Sequence, residues 1–266
     1  MIHLIAVVMG VVEGLTEFLP VSSSGHLILT SHLLNFTGEE AKTFEVFIQL
    51  GAILAVVLSY RTTFVNLLSA PSGEGFRGRN GIVLLLLTTL PGLLVGKLAY
   101  GSIKGVLFAP LPVAIGLAVG GLWILATEAF YRHHAPRDLD RLTWRAALGI
   151  GLFQCLALWP GMSRSTSTIL GGMLLGLTRK SATEYSFFSA VPLIVAACAY
   201  DLLQNAHLLT ADTLPYFATG FAVSFFSAWA AIRFLIRFVS RHSLVVFAWY
   251  RLALAAAVFV WIFLKS

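Results

Sequence analysis

Long apolar stretches separated by short polar loops make up most of this 266-residue chain. Six of them are long enough to cross a membrane, because a spanning helix needs about 20 mostly apolar residues. The predicted spans are 44–60, 81–100, 110–131, 184–200, 216–238 and 244–264. Only 11% of the residues are charged and the mean hydropathy is +0.86, whereas a soluble domain carries about 25% charged residues. The sequence therefore predicts an all-α polytopic membrane protein.

Two further apolar segments, 4–19 and 146–159, are interrupted before they could cross a bilayer. The first would be about 24 Å long as a helix, less than the roughly 30 Å of a hydrocarbon core. Proline and glycine then stop each helix, and a short apolar piece follows at 27–36 and at 169–177. This order is typical of a re-entrant hairpin. We expect such hairpins at 4–36 and 146–177.

The order of the pieces occurs twice along the chain. A hairpin precedes three spans in each half, and the polar loop 132–145 joins the halves. We therefore expect two repeats, 1–135 and 142–266, within one integral membrane domain. Three crossings per half is an odd number, so the second repeat is inverted relative to the first. Inverted repeats with broken helices place their binding sites near the bilayer midplane.

Basic residues are concentrated in four connections between the apolar segments. Twelve of the 18 Lys and Arg residues lie in 61–80, 132–145, 178–183 and 233–242. The positive-inside rule places such loops in the cytoplasm, which predicts that both termini lie outside. The net charge of +6 then reports orientation and gives no reason to expect a nucleic-acid partner. The N-terminus has no basic residue before its apolar run, so we expect no cleaved signal peptide.

Two carboxylates lie inside the first apolar segment. Glu13 and Glu17 are four residues apart, so they share one face of a helix. Each intramembrane charge costs about 2.5–3.5 kcal/mol on insertion scales, and two adjacent carboxylates cost more unless they share a cation or a proton. The pair therefore indicates metal coordination or acid–base chemistry, with neutralised packing acids as the alternative.

A serine run and a histidine follow Pro20, in the order Ser22-Ser23-Ser24-Gly25-His26. Serines before a short apolar helix are typical of an N-cap, and that is the simpler interpretation. A helix N-terminus also presents free N–H groups that suit phosphate. His26 adds an acid, base or nucleophile that works near neutral pH.

The polar interruptions of the two short apolar segments, 20–26 and 160–168, are called here the first and the second break. Arg164 lies in the second break, with Ser163 and Ser165 on either side. A buried arginine in a membrane bundle needs an anionic partner, and its planar fork fits phosphate bidentately. The alternative is an internal ion pair to Glu13 or Glu17. Thr168 supplies a further hydroxyl.

Residues elsewhere have simpler interpretations. We read Gln154 as the uncharged counterpart of Glu13 and expect Arg251, inside the last span, to form a structural ion pair. The two cysteines, Cys155 and Cys198, lie in apolar segments. They are predicted to be small core residues.

Both breaks resemble the signatures of the bacterial undecaprenyl-diphosphate phosphatases, the bacitracin-resistance family. The first runs Glu13-Gly14-Leu15-Thr16-Glu17-Phe18-Leu19-Pro20-Val21-Ser22-Ser23-Ser24-Gly25-His26. The second runs Pro160-Gly161-Met162-Ser163-Arg164-Ser165-Thr166-Ser167-Thr168. Their order and spacing match, and the similarity extends over essentially the whole chain.

The resemblance implies a hydrolase of the bacterial inner membrane that converts undecaprenyl diphosphate to undecaprenyl phosphate. That reaction recycles the lipid carrier for peptidoglycan and confers bacitracin resistance. By similarity, the site opens to the outer face and activity needs a divalent cation, Mg²⁺ or Ca²⁺. The partners would be the lipid substrate and the bilayer, and a homodimer is compatible with the sequence.

The family's functional residues carry over onto matching positions of this chain. The resemblance implies catalytic roles for Ser23, His26, Glu17 and Glu13, with the two glutamates also binding the metal. We expect diphosphate contacts from Arg164, Ser22, Ser24, Gly25, Ser163, Ser165 and Thr168.

Two questions stay open at this stage. Either Ser23 attacks phosphorus with His26 as its base, which we favour, or His26 attacks directly. The alternative to a phosphatase is an inverted-repeat transporter or flippase of an anionic prenyl phosphate, because the family resembles such transporters in fold.

Overall fold

The computed structural model describes residues 1–71, 73–106, 110–131 and 137–265. Within these ranges the chain is helical, and the one β-type contact is an isolated bridge between Arg137 and Leu177. The predicted joint between the two halves falls partly on residues 132–136, and that part of the prediction lies outside the described residues.

The helices are numbered here in chain order. They are α1 (Ile2–Thr16), α2 (Ser23–Leu33), α3 (Glu39–Ser59), α4 (Arg61–Ser69), α5 (Gly78–Val106), α6 (Pro110–Tyr131), α7 (Trp144–Gln154), α8 (Arg164–Leu174), α9 (Arg179–Gln204), α10 (Leu214–Val239) and α11 (Val245–Lys265). Short 3₁₀ turns cover Leu139–Arg141, Cys155–Leu158 and Ala206–Leu208.

Within the described residues, six helices are long and apolar enough to span a membrane, as the sequence predicts. They are Glu39–Ser59, Gly78–Leu98, Pro110–Tyr131, Arg179–Gln204, Leu214–Val239 and Val245–Leu264. The protein is therefore a multi-pass membrane protein with an all-helical fold. Helix α9 begins five residues before the predicted span because Thr178 caps it, its side chain accepting a hydrogen bond from the Ser181 N–H.

Two features of the helices differ from the sequence-based expectation. The loop predicted at 61–80 contains the short helix α4, of which only Leu67 is buried. Helices α2 and α8 begin at Ser23 and Arg164, earlier than the apolar pieces predicted at 27–36 and 169–177. The reason is local, because polar first turns are invisible to an apolar pattern although capping serines start them.

Helix α1 lies closely against α10. A Cβ atom on Gly10 would lie 2.6 Å from the Gly220 carbonyl oxygen, and one on Gly14 would lie 2.4 Å from the Ser224 carbonyl oxygen. Small residues four apart allow such close backbone approach in membrane bundles. The contact with Ser224, ten residues into α10, shows that α1 ends partway along this spanning helix.

The basic-rich connections meet at one end of the molecule. The Phe76 N–H donates to the Leu139 carbonyl, and the Arg137 N–H donates to the Gly176 carbonyl. At the other end, the Tyr216 hydroxyl donates to the Glu40 carboxylate, so the acidic loops 37–43 and 201–215 lie together. The basic connections are thus hydrogen-bonded to one another, and so are the acidic ones.

Candidate functional site

The two acids of α1 point into the protein interior. Glu13 is fully buried and Glu17 is 7% exposed. Glu17 follows the last residue of α1 but keeps helical dihedrals, and its N–H donates to the Glu13 carbonyl. The helix therefore holds both carboxylates on one face, as predicted from their spacing.

The first break ends in a strained cap. Ser22 has φ 75°, and its hydroxyl accepts a hydrogen bond from the Gly25 N–H at 3.3 Å. A non-glycine residue with positive φ costs on the order of 1 kcal/mol, so the surrounding contacts must hold it in place. The cap turns the chain so that Ser23 opens α2 facing Glu17. The Ser23 hydroxyl donates to Glu17 Oε2 at 2.6 Å.

The second break repeats this geometry. Ser163 has φ 73°, and its hydroxyl accepts a hydrogen bond from the Thr166 N–H. Arg164 opens α8 and reaches the first break, where its Nη2 donates to Glu17 Oε1 at 2.8 Å. Its Nη1 donates to the Ser186 carbonyl at 2.8 Å, and its Nε is buried without an acceptor among the described residues. Glu17 thus receives Ser23 on one oxygen and Arg164 on the other.

His26 has partners other than Ser23. Its Nδ1 lies 2.7 Å from the Ser22 carbonyl and its Nε2 lies 2.7 Å from the Tyr250 hydroxyl. A carbonyl only accepts, so Nδ1 carries the proton and Nε2 of the neutral ring accepts from Tyr250. Among the described residues no hydrogen bond joins Ser23 to His26, because the Ser22 carbonyl orients the imidazole and the Ser23 hydroxyl donates to Glu17. The role of His26 as the base for Ser23 stays a prediction.

Most of the other predicted hydroxyls have structural partners. The Ser165 hydroxyl donates to the Leu19 carbonyl at 2.8 Å, which ties the two breaks together. Thr168 Oγ1 lies 2.7 Å from Ser186 Oγ, and Ser22 Oγ lies 3.4 Å from Ser24 Oγ. Ser24 is exposed and Gly25 is buried. These residues shape the site, and by position the first N–H groups of α2 and α8 have no intrahelical partner.

Arg251 is the site residue whose partners the sequence did not reveal. It is fully buried, and among the described residues it has no carboxylate within 4 Å, so the expected ion pair is wrong. Its guanidinium donates instead to the Pro20 carbonyl of the first break and to the Gly161 and Met162 carbonyls of the second. These carbonyl dipoles replace the solvation that burial removes. Arg251 therefore holds the two breaks together.

Tyr250 and Ser186 were also missed by sequence reasoning. The signals available were weak: Tyr250 adjoins an intramembrane arginine, and Ser186 interrupts an apolar span. Gln154 behaves as expected for a hydrogen-bonding counterpart of Glu13, its Nε2 donating to the Thr88 carbonyl at 3.2 Å. Of the two cysteines, Cys198 is buried as predicted and Cys155 is half-buried.

The Glu13 carboxylate shows whether the site suits a divalent cation. Both carboxylate oxygens of Glu13 are buried and have no hydrogen-bond partner among them. A hard cation takes oxygen ligands, and Mg²⁺ often uses only one or two carboxylates together with substrate phosphates. No group of three or more His, Cys, Asp or Glu residues surrounds a common point in the described ranges. The residues therefore fit a cation that shares its coordination with substrate and water.

Comparison with known proteins identifies the family. The family model described as Bacitracin resistance protein BacA matches residues 6–257. A protein of Nitratidesulfovibrio vulgaris (strain DP4) named undecaprenyl-diphosphatase is 56% identical over 256 residues, which cover 96% of each chain. Proteins of the same name are 54% identical in Maridesulfovibrio salexigens and 49% identical in Lawsonia intracellularis, each match covering 96% of this chain and 97% of the relative. This chain belongs to the bacitracin resistance protein BacA family.

Proposed function

We propose that this protein is an undecaprenyl-diphosphatase, a membrane hydrolase that releases phosphate from undecaprenyl diphosphate and so recycles the lipid carrier for cell-wall synthesis. The relatives of this name cover nearly the whole chain. The observation that carries the chemistry is the convergence of Ser23 and Arg164, from the first turns of two different helices, on the two oxygens of Glu17.

The proposed site binds a diphosphate at the junction of the two breaks. Arg164 has one buried donor, Nε, without a partner in the described residues. Its Nη2 would exchange Glu17 for a phosphate oxygen, because the guanidinium fork matches phosphate bidentately. The first N–H groups of α2 and α8 add donors and two positive dipole ends. The isoprenoid tail would remain in the lipid.

Ser23 is the proposed nucleophile. Its Oγ bonds to the terminal phosphorus while the bond from that phosphorus to the bridging oxygen breaks, and undecaprenyl phosphate leaves with the electron pair. Glu17 takes the hydroxyl proton, since its Oε2 already accepts the Ser23 hydrogen bond at 2.6 Å. Arg164 offsets charge on the transferred phosphoryl group.

His26 is the proposed base of the second step. Its Nε2 takes a proton from a water molecule that attacks the phosphoserine, phosphate leaves, and Glu17 returns its proton to Ser23 Oγ. The Ser22 carbonyl fixes the tautomer that keeps Nε2 basic. Tyr250, hydrogen-bonded to Nε2, positions the ring until water replaces it.

Glu13, with Glu17, would hold the divalent cation. A bound Mg²⁺ or Ca²⁺ would neutralise phosphate charge and orient the diphosphate. The oxygens of Glu13, which are buried and have no hydrogen-bond partner among the described residues, support this assignment.

We also infer an inverted repeat built around two re-entrant hairpins. Helix α1 packs against α10, and α7 packs against α5, its counterpart in the other half. The α1–α2 hairpin starts and returns near Tyr216, whereas the α7–α8 hairpin starts and returns near Arg137. This arrangement supports the halves 1–135 and 142–266 and a site close to the midplane.

The basic end of the molecule is assigned to the cytoplasm of a bacterial inner membrane. Both termini and the mouth of the site would then face outward. Labelling of Asp140→Cys in intact cells tests this orientation, and reaction with an impermeant reagent from outside would contradict it. A homodimer stays a prediction that sedimentation in detergent would examine.

Phosphate release by the purified protein in detergent tests the function, because transport has no meaning without a sealed membrane. We expect release from undecaprenyl diphosphate that stops with chelator and with Ser23→Ala. Ser69→Ala, an exposed serine far from the breaks, is the matched control and should be fully active. A folded protein that releases no phosphate, yet moves prenyl phosphate between the leaflets of vesicles, would favour the transporter alternative.

A further inference from the structure

A groove of about 830 Å³ lies at the basic end of the molecule, and no residue of either break lines it. The last turns of α10, the residues after it and the first turn of α9 form its walls. Four cationic side chains line it, namely Lys180, Arg233, Arg237 and Arg241. None of them contributes to the proposed phosphatase site.

The cations are arranged by the helix itself. Trp229, Arg233 and Arg237 follow one another at intervals of four residues, so they share one face of α10. Arg241 continues the row just beyond the end of the helix. The Arg233 guanidinium stacks on the indole of Trp229, with Cζ 3.6 Å from the ring centroid. This cation–π contact holds the first arginine against an apolar surface.

Three of these cations, Arg233, Arg237 and Arg241, have no acidic partner among the described residues. In the part of the chain that the structure describes, the ion pairs join Arg164 to Glu17 and Arg179 to Glu128. Arg233, Arg237 and Arg241 therefore have no carboxylate within 4 Å. The C-terminal dipole of α10 offsets only about half a charge. The positive-inside rule accounts for basic residues at this end, but it does not require them to line one groove.

The remaining walls of the groove are apolar. Trp229, Phe234, Ile236 and Phe238 contribute them, and the Phe234 and Phe238 rings stack with centroids 5.7 Å apart. A free phosphate ion has no apolar part that could pack against these side chains. A phospholipid, in contrast, places a charged headgroup and an apolar chain side by side at the same depth as the end of a spanning helix.

We infer that this groove binds an anionic phospholipid, with its phosphate among Arg233, Arg237 and Arg241 and an acyl chain along the aromatic wall. Basic pockets between helices at this level of a membrane are suited to such headgroups. The bound lipid would contact α10, the helix against which α1 and its two glutamates pack.

Native mass spectrometry of the purified protein in detergent tests the site. Phosphatidylglycerol and phosphatidylcholine with identical acyl chains are added in turn, and the retained adducts are compared. We expect the wild-type protein to retain phosphatidylglycerol at least about fivefold better, because each basic side chain near an anionic lipid contributes about that factor. Arg233→Gln/Arg237→Gln/Arg241→Gln should abolish the preference while phosphate release continues.

A matched control separates a site from bulk charge. Arg61→Gln/Arg77→Gln/Arg79→Gln removes the same charge from three exposed arginines of another basic loop and should keep the preference. An equal loss in this control, or equal retention of the two lipids by the wild-type protein, would overturn the proposal. So would displacement of phosphatidylglycerol by a large excess of inorganic phosphate, because a site for the free anion needs no lipid.

If the triple variant does not fold, single substitutions at Arg237 still decide the question. The Arg237 side chain makes no hydrogen bond or ion pair within the described residues, so its replacement should leave the fold intact. Arg237→Gln should weaken the preference by about fivefold and Arg237→Lys should retain it, because the headgroup reads charge. Unchanged retention in Arg237→Gln would contradict the proposed site.

Discussion

The two breaks share one cap geometry but carry different chemistry, and the second break alone has a further residue at positive φ, Gly161 at 94°. Each contains a capping serine at positive φ, 75° at Ser22 and 73° at Ser163, whose hydroxyl accepts the N–H three residues later. In each, the side chain four residues after the cap donates to the cap carbonyl, from His26 at 2.7 Å and from Ser167 at 2.9 Å. The geometry of the turn is therefore independent of what the turn carries.

The difference lies at the residue after each cap. The first break presents Ser23 there, and the second presents Arg164. The helix before the first break carries Glu13, whereas the matching position in the second is Gln154, whose amide is taken up by the Thr88 carbonyl. One scaffold would thus supply the proposed nucleophile and the acids from one half and the guanidinium from the other.

The comparison explains why both halves are needed. Glu17 joins them, since it accepts from Ser23 of its own break and from Arg164 of the other. Loss of one partner of a buried ion pair lowers the free energy of unfolding by about 3–5 kcal/mol, because the remaining charge is left buried without compensation. Neither break alone assembles the proposed chemistry.

The largest effect is expected at the nucleophile. Ser23→Ala should reduce turnover by at least about a thousandfold, because it removes the atom that forms the covalent bond. Ser22→Ala removes only a cap worth about 1 kcal/mol and should merely reduce turnover. Phosphate release measures both variants, and substantial turnover by Ser23→Ala would exclude serine catalysis.

Acid-quenched enzyme provides an independent check of the same step. Phosphate on Ser23 should be stable to acid and labile to alkali. Acid-labile, alkali-stable phosphate on His26 would reverse the assignment and make the first break a histidine centre.

The next largest effect is expected at Arg164, the guanidinium of the second break. Arg164→Lys keeps the charge but loses the planar fork that spans Glu17 and Ser186. We expect kcat/KM to fall at least roughly tenfold, on the order of 1.4 kcal/mol. Arg145→Lys, at an exposed arginine, should leave the kinetics unchanged. Near-normal kinetics for Arg164→Lys would show that charge alone suffices.

Exchanging Glu13 and its counterpart Gln154 tests the role of the buried carboxylate before the first break. Glu13→Gln should weaken the apparent affinity for the divalent cation by about tenfold, because it removes the carboxylate without a protein partner. Gln154→Glu, the reverse exchange at the matching position, should not create a second cation requirement. Calorimetric titration of the cation and the concentration for half-maximal activity are the measurements.

Glu17→Gln separates metal binding from proton transfer. It should lose most activity, because Glu17 accepts the Ser23 hydrogen bond and is the proposed acceptor of its proton. Weaker cation affinity in this variant would support a shared ligand role. Lost turnover with unchanged cation dependence would assign Glu17 to proton transfer alone.

The smallest effect is expected at Tyr250, which has no counterpart in the second break. Tyr250→Phe removes one hydrogen bond to His26 and should lower kcat by about fivefold. Because His26 is the proposed base of the second step, trapped phosphoserine should increase. Tyr200→Phe, at an exposed tyrosine, is the control. A change in KM without more phosphoserine would assign Tyr250 to substrate binding instead.

The sequence by itself determined the elements and the types of residue in the breaks. Six spans, two interrupted helices and the Glu13–Glu17 face follow from hydropathy and from the helical period, and both are local properties. The capping serines were readable for the same reason. The sequence pattern missed the short helix α4 and placed the starts of α2, α8 and α9 too late, because an apolar pattern does not detect polar helical turns.

The tertiary structure alone decided which groups meet. Arg164 and Glu17 are 147 residues apart, and His26 and Tyr250 are 224 apart. Such pairs depend on how helices pack, which no local period encodes. The carbonyl partners of Arg251 were the least predictable feature. A charged residue within a spanning helix is expected to form an ion pair, and only the fold shows that the breaks bring the Pro20 and Gly161 carbonyls to Arg251.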